Sequence, residues 1–285
     1  MTNQEVIPQR KIFNIESTLF EQLAAPMPGM STRVNGTKLR KLYLQSMSQQ
    51  WNPTDKLVFS EPEPMPEKLR DIWIRFGTIF YTLEEMGLHT LNHMMGAASN
   101  KLASDDVAFY LSTQCADEAR HVFLIEQYLS RLGARPHFDR KFRILSRIAS
   151  QGLYRVENWM FSTLFSENFA SAFLRRARSA EIDGFGQTMC AGILKDEHRH
   201  IHFLNIVLPD VIERLNLVSR TYIKTSQFFI MKFTEHVSRC LEEDGKCVGI
   251  PRQELLEEAF ENMKKTYESF GVGRDFLVFP SIRSA

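Results

Sequence analysis

The chain has 285 residues, of which 44% are hydrophobic and 24% charged, and its 35 basic and 34 acidic residues give a net charge of +1. With only 14 glycines and 11 prolines, collagen-like, disordered and turn-rich β chains are excluded, and a helical protein is favoured. The charge balance, without a long run of one sign, indicates neither a nucleic-acid partner nor an anionic membrane surface.

Cysteine usage and the N-terminal residues bear on the cellular compartment. Four cysteines in a chain of this length match neither a disulfide framework nor a CxxC metal motif, which is typical of a reducing compartment. The first residues, MTNQEVIPQRKIFN, lack the apolar stretch of a secretory signal, and no uncharged run approaches the roughly 18 residues that cross a membrane. We therefore expect a soluble, cytoplasmic protein.

The first part of the chain differs from the rest in its pattern. Residues 1–65 are an irregular lead-in, because proline and glycine recur throughout, and a short helix is predicted there only over residues 38–50. From Pro66 to about Ala98 the apolar residues recur at helical spacing without an internal proline, which predicts the first long helix.

Further helices are predicted along the remainder of the chain. The signal Ser104-Asp-Asp begins a second long helix, which continues to Gly133 and stops before Pro136. The later elements are a short and a long helix within 138–179, a fourth long helix over 180–208 that ends before Pro209, helices over 210–240 and 252–269, and an extended tail over 271–285. No segment has the period-two pattern of a strand, and we expect one all-α domain over residues 1–285.

A five-residue pattern, DExRH, occurs twice. The second long helix contains DEARH at residues 117–121, and the fourth contains DEHRH at residues 196–200. Because a helical residue advances by about 100°, the Glu and His of each copy lie one turn apart on one face and can hold one ion. Both pairs stand within apolar stripes, where an unpaired carboxylate must be neutralised by a proton, a cationic partner or a metal.

Two further acids stand in apolar stripes on other helices, Glu84 on the first long helix and Glu167 on the third. Glu85 has more polar neighbours along the helix, so Glu84 is preferred as the ligand. One Glu from each of two helices and a Glu-x-x-His from each of the other two form the ligand set of a di-iron or di-manganese carboxylate bundle. The predicted metal ligands and catalytic residues are Glu84, Glu118, His121, Glu167, Glu197 and His200.

Charge and ligand chemistry agree with this set. Two divalent ions balance the charge of the four glutamates, so the buried site would be neutral, and mixed oxygen and imidazole ligands suit iron or manganese. A metal-bound imidazole usually donates its other N–H to a carboxylate. We therefore expect Asp196 to hold His121 and Asp117 to hold His200, with Arg120 and Arg199 as counter-charges.

The motif pair resembles the ferritin-like, ribonucleotide-reductase-small-subunit-like superfamily of dinuclear iron oxygenases. The resemblance covers about residues 66–208, with weaker similarity over residues 41–53, and it carries the first-helix acid onto Glu84 and the third-helix acid onto Glu167. It implies a ferritin-like four-helix bundle core with additional helices. The domain then comprises the lead-in over 1–65, the metal-binding helices over 66–208, and additional helices with the tail over 209–285.

Two positions depart from particular branches of the superfamily. Reductase small subunits typically have a radical tyrosine four residues after the histidine of the first motif, where this chain has Ile125. Tyr81 and Tyr128 leave other radical positions open. The arylamine N-oxygenase branch, which the chain resembles in helix spacing, usually has an additional histidine ligand four residues before the last glutamate, where this chain has Ile193.

The sequence therefore predicts a non-haem di-iron oxidase or oxygenase that uses O₂ to oxidise a small organic substrate, by hydroxylation or amine N-oxygenation. The expected cofactors are two Fe ions, with a Mn/Fe pair as the other option. A ferredoxin or reductase is expected as electron donor, and the resemblance implies a homodimer. The alternatives are a ribonucleotide reductase small subunit and an iron-binding helical bundle without oxidation chemistry.

Overall fold

The computed structural model describes residues 35–57, 64–136 and 155–271, which are helical and contain no β-strand. The helices are α1 (Gly36–Gln49), α2 (Pro53–Lys56), α3 (Glu67–Leu102), α4 (Asp105–Arg131), α5 (Val156–Ser179), α6 (Gly184–Glu213), α7 (Leu217–Cys240), α8 (Glu242–Cys247) and α9 (Arg252–Ser269). The all-α prediction is confirmed. The predicted shorter helix before α5, the extended tail after residue 271 and most of the irregular lead-in lie outside the described residues.

Helices α3 to α6 form a four-helix bundle. Helix α3 packs along α4, α5 packs along α6, and α4 contacts α6 across the bundle. The buried apolar residues fall into two clusters, one containing Tyr110 and Phe203, the other containing Ile125 and Ile193. In both α4 and α6 the DExRH copy lies between the residues of the two clusters, so the motifs form a polar layer inside an apolar core.

The remaining described helices cover different sides of the bundle. Helix α1 packs against α4 and α6, the helices that carry the motifs, whereas α7 and α9 pack against α5. The short helix α8 contacts α7 and α9. None of the described helices combines the length and the apolarity that crossing a membrane requires.

Two long helices have different ends from those predicted. Helix α3 runs beyond Ala98 to its left-handed C-cap, Ala103 (φ 51°), whose N–H bonds the carbonyl of Asn100. Helix α6 begins later than residue 180, because the Asp183 carboxylate accepts a hydrogen bond from the N–H of Gly186 (2.7 Å) and caps the helix there.

The prediction that the fourth long helix ends before Pro209 is wrong. The next predicted helix exists as α7, but it begins at Leu217 and not at residue 210. Pro209 lies inside α6, although proline has no N–H to donate to the carbonyl of Asn205. Leu208 and Val211, on either side of the proline, are buried in the core. Their apolar packing offsets the missing hydrogen bond and keeps the last turn of α6 helical.

Candidate metal centre

The layer between the two apolar clusters contains all six predicted ligands. Both histidines are fully buried, with ring centroids 6.0 Å apart, and the four glutamates are 7% exposed or less. Helices α4 and α6 each supply a Glu and a His one turn apart, and α3 and α5 each supply one Glu. The six are Glu84, Glu118, His121, Glu167, Glu197 and His200.

Each histidine points its Nδ1 atom at three glutamates. From His121 Nδ1 the carboxylate oxygens lie at 3.2 Å (Glu84), 3.7 Å (Glu118) and 3.6 Å (Glu197). From His200 Nδ1 they lie at 3.4 Å (Glu118), 3.5 Å (Glu167) and 3.4 Å (Glu197). The two halves of the layer are therefore nearly equivalent.

Glu118 and Glu197 are shared between the two halves. Each directs one carboxylate oxygen to His121 and the other to His200. Two groups of three residues could each hold a metal ion, because the potential ligand atoms within each group lie within 4.8 Å of one another. One group is Glu84, Glu118 and His121, and the other is Glu118, Glu167 and His200, so Glu118 belongs to both. The geometry offers two adjacent cation positions with shared carboxylates between them.

The two adjacent acids on α3 occupy different environments. The carboxylate of Glu84 is buried and lies 3.2 Å from His121. Glu85 is only partly buried and belongs to neither group of potential metal ligands. Its charge adds to the burial that raises the pKa of Tyr81. The structure thus places Glu84, and not Glu85, in the layer.

The aspartates of the two motifs contact the histidines crosswise, in the predicted pairs. Nε2 of His121 lies 3.2 Å from Asp196, and Nε2 of His200 lies 3.4 Å from Asp117. These contacts leave each Nδ1 facing the glutamates and fix the orientation of each ring.

The predicted counter-charges lie beside the aspartates. Arg120 and Arg199 each hydrogen-bond both Asp117 and Asp196. The result is a buried salt-bridge network of two aspartates and two arginines that connects α4 to α6. Hydrogen bonds between opposite charges are stronger than those between neutral groups, so this network holds the aspartates in place.

Two residues of the lead-in belong to this salt-bridge network, and the sequence pattern did not predict their role there. Gln50 donates to Asp117 (2.8 Å), and the indole N–H of Trp51 donates to Asp196 (3.0 Å). The guanidinium of Arg120 donates to Gln50 and lies 5.0 Å from the centre of the Trp51 ring. These contacts join residues 67 and 145 positions apart, and the weak family resemblance over residues 41–53 was the only signal.

Gln114 is a further member of the layer and was not among the residues predicted from the sequence. It lies on α4 one turn before Glu118, and its amide nitrogen is 3.4 Å from carboxylate oxygens of Glu118 and Glu167. Its position one turn from a motif glutamate would have been the signal. The amide thus contacts carboxylates from two different helices, α4 and α5.

Electrostatics in the layer depend on burial and on mutual contacts. Burial, with the charge of Glu197, raises the pKa of Glu84 well above its usual range, and burial likewise raises the pKa of Glu197. Burial acts in the same direction on Glu118, but the hydrogen bond with His121 and the charge of His200 outweigh it and lower its pKa to about 2. The surrounding carboxylates overcome burial at both histidines and raise their pKa. Protons therefore neutralise the layer when cations do not.

Three buried atoms of the layer have no hydrogen-bond partner: both carboxylate oxygens of Glu197 and Nδ1 of His200. These atoms converge within the layer, since the Glu197 oxygens lie 3.6 Å from Nδ1 of His121 and 3.4 Å from Nδ1 of His200, and a buried polar atom without a hydrogen bond costs about 1–3 kcal/mol. Oxygen and imidazole donors converge there without a thiolate, which suits iron or manganese. The residues present therefore fit a pair of such ions.

A cavity of about 540 Å³ adjoins one side of the layer, between α3, α5 and α7. Glu84, Glu118 and Glu167 line it, whereas Glu197 and the two histidines do not. Much of the remaining wall is apolar and includes Phe rings from α3, α5 and α7. A molecule in this cavity would reach the layer from the side of these three carboxylates.

A helical bundle whose buried layer holds four glutamates and two histidines defines the ferritin-like class of dinuclear-metal carboxylate proteins. The model of the p-aminobenzoate N-oxygenase AurF family matches residues 82–244, more than half of the chain, and the chain belongs to this family. The protein is therefore an O₂-dependent dinuclear-metal oxidoreductase of the oxidase and oxygenase class. The predictions of superfamily, enzyme class and cofactors are confirmed.

Solved structures show the same fold. An R2-like ligand-binding oxidase variant with an anaerobically reconstituted Mn/Fe cofactor has a TM-score of 0.65 and 16% identity, over 83% of this chain and 93% of that chain. A protein from Synechococcus with aldehyde deformylating oxidase activity has a TM-score of 0.57 and 16% identity, over 73% of this chain and 93% of that chain. No curated protein sequence matches the chain. The similarities confirm the predicted ferritin-like helical bundle.

Proposed function

We propose that the protein is a monooxygenase that transfers one oxygen atom of O₂ to a small organic substrate, with an aromatic amine nitrogen as the favoured target. The observation that carries this proposal is the largely apolar cavity whose wall includes Glu84, Glu118 and Glu167. Membership in a family described by p-aminobenzoate N-oxygenase favours nitrogen over carbon as the oxidised atom.

Each half of the layer would hold one metal ion. Glu84 and His121 would bind one ion, Glu167 and His200 the other, and the remaining two glutamates would contact both. When bound, the metal pair supplies the electrons that activate O₂. For an amine, O₂, two electrons and two protons give a hydroxylamine and one water, so one oxygen atom enters the new N–O bond.

The residues around the metal positions orient the metal ligands and exclude water. Asp117 and Asp196 hold the histidine rings, and Gln114 holds two of the glutamates from the cavity side. The Phe-lined wall keeps water from the reacting atom, which suppresses side reactions of activated oxygen. Of the described residues in the layer, Glu84, Glu118 and Glu167 are the ligands that a substrate in the cavity would meet.

Repeated turnover needs two electrons from outside for each O₂, so the proposal includes a ferredoxin or reductase as electron donor. It also includes a homodimer, a cytoplasmic location and one domain over residues 1–285, with the metal-binding helices in 66–208. Family membership favours this function over the two alternatives, a ribonucleotide reductase small subunit and an iron-binding bundle without oxidation chemistry.

The test is oxygen incorporation under a matched pair of variants. Protein loaded with Fe(II) is mixed with isotopically labelled O₂, a chemical reductant and a panel of arylamines, and the products are analysed by mass spectrometry. We expect labelled N-oxygenated product from the wild type and from Glu85→Gln, and little from Glu84→Gln. Absence of label in every product, with two ions bound per chain, would reject the monooxygenase proposal.

A further inference from the structure

The cavity beside the metal centre has a single cationic side chain on its wall among the residues that the structure describes, Arg252 at the start of α9. The same wall also includes Phe233, Val237 and Leu255. Arg252 is distant in sequence from the ligand-bearing helices and has no role in the layer. Its presence in an otherwise largely apolar cavity needs a reason.

The charge of Arg252 is weakly balanced by the protein. Its Nε donates to the hydroxyl of Ser238 (3.1 Å), and the nearest carboxylate on the described residues is Glu235, 3.9 Å from Nη2. Glu235 is already engaged at shorter distances by Lys232 (3.0 Å) and Arg239 (2.7 Å). A guanidinium at an apolar wall without a close counter-ion is a favourable partner for a carboxylate or a similar anion.

Arg252 fixes the orientation of an anionic molecule in the cavity. Cations or protons neutralise the layer that contains Glu84, Glu118 and Glu167, so the layer offers an anion no net positive charge, whereas the guanidinium of Arg252 offers an opposite charge. The uncharged end of the molecule therefore faces the metal positions. This is the end that the proposed reaction oxidises.

The size of the cavity sets a lower limit on the size of the molecule that fills it. Its 540 Å³ lies within the range of roughly 300–1,000 Å³ of sites that enclose drug-sized ligands. A single benzoate ring would leave much of the apolar wall unburied. A longer apolar body would bury that wall and gain about 25 cal/mol per Å² of apolar surface.

We infer that the substrate is an amphipathic anion larger than one benzoate ring, whose anionic group binds Arg252 while its apolar body fills the Phe-lined cavity. The inference rests on the proposed function for the identity of the oxidised end. The binding step itself needs no oxidation, so it can be measured separately.

The test is binding of three probes to the full-length protein without O₂, measured by calorimetry. The probes are 4-aminobenzoate, 4′-aminobiphenyl-4-carboxylate and the primary amide of the second compound. We expect the two-ring acid to bind at least about tenfold tighter than either of the others, since only it combines the apolar body with a charge-assisted contact.

Variants of two arginines near Glu235 complete the test. Arg252→Gln should weaken binding of the two-ring acid by about tenfold or more without affecting the amide, and Arg252→Lys should restore part of it. Arg239→Gln is the matched control, because Arg239 contacts the same glutamate but does not line the cavity. Thermal unfolding shows that each variant is folded.

Three results would overturn the inference: unchanged affinity of Arg252→Gln for the two-ring acid, equal affinity of acid and amide, or equal affinity of the one-ring and two-ring acids. Failure of the proposed function looks different. In that case the acid binds through Arg252, but no labelled oxygen enters it when O₂ is supplied. If arylamines are oxidised equally well by the wild type and by Arg252→Gln, the proposed function stands and the inference about Arg252 is wrong.

Discussion

The layer of glutamates and histidines has two unlike sides. Towards α1, α4 and α6 it is closed by charged and hydrogen-bonded side chains, and Asp117 and Asp196 are at most 1% exposed. Towards α3, α5 and α7 it faces a 540 Å³ cavity with Phe rings on its wall. One side therefore fixes the ligands, and the other gives a substrate access to them.

This division explains why the two copies of DExRH are on α4 and α6. The aspartate and arginine of each copy contact the other copy on the closed side, so each helix orients the histidine of its partner. Helices α3 and α5 supply only one glutamate each, and their other positions near the layer are free to line the cavity. A pocket between α3 and α5 can thus vary without disturbing the ligands.

The largest effect is expected at Glu118, which faces both the cavity and the two histidines. Glu118→Gln removes a charge that both cation positions share, and we expect metal affinity to fall by more than about 100-fold, beyond the usual effect of outer contacts. Competition with a chelator measures it. Glu126→Gln, on the exposed face of the same helix, should bind metal like the wild type, and equal affinity of both variants would disprove the shared position.

A smaller effect is expected on the closed side. Asp117→Ala removes the hydrogen-bond partner of His200 and a partner of two arginines, so metal affinity should fall by about 10–100-fold. The same chelator competition applies, with Asp105→Ala, at an exposed position of α4, as control. Full metal occupancy together with unchanged activity in Asp117→Ala would count against the role given to the aspartate.

The smallest effect concerns the contact of the lead-in with α6. A Cβ at Gly192 would lie 2.5 Å from the Trp51 ring, so Gly192→Ala must displace the indole that donates to Asp196. We expect a loss of about 1–3 kcal/mol in the free energy of unfolding, with a change in tryptophan fluorescence. Gly96→Ala, where a Cβ meets nothing within 4 Å, should instead stabilise α3 by about 0.5–1 kcal/mol. Similar effects of both changes would show that Trp51 is not tightly packed.

The closed side was more predictable from sequence than the open side. Spacing of three residues on a helix fixes the relative position of Glu118 and His121, and apolar neighbours on the same stripe indicate that they point inward. Repetition of the motif then suggested that Asp117 and Asp196 pair with the opposite histidines, and the structure has these contacts. Their action as metal ligands and supports stays a prediction.

Other features depend on contacts that no local pattern encodes. Trp51 reaches Asp196 across 145 residues, and Arg252 meets the cavity only because α9 packs on α5. The course of α6 through Pro209 was mispredicted because local helix rules omit the burial of its neighbours, which decides the outcome. Cavity shape likewise follows from how helices pack rather than from the periodicity of any one of them.

The most direct test of the account is a crystal structure of the Fe(II)-loaded protein with anomalous scattering data collected at the iron edge. The account predicts two iron positions per chain, both in contact with Glu118 and Glu197, one beside His121 and one beside His200. A single iron, or iron bound only outside the layer, would contradict it.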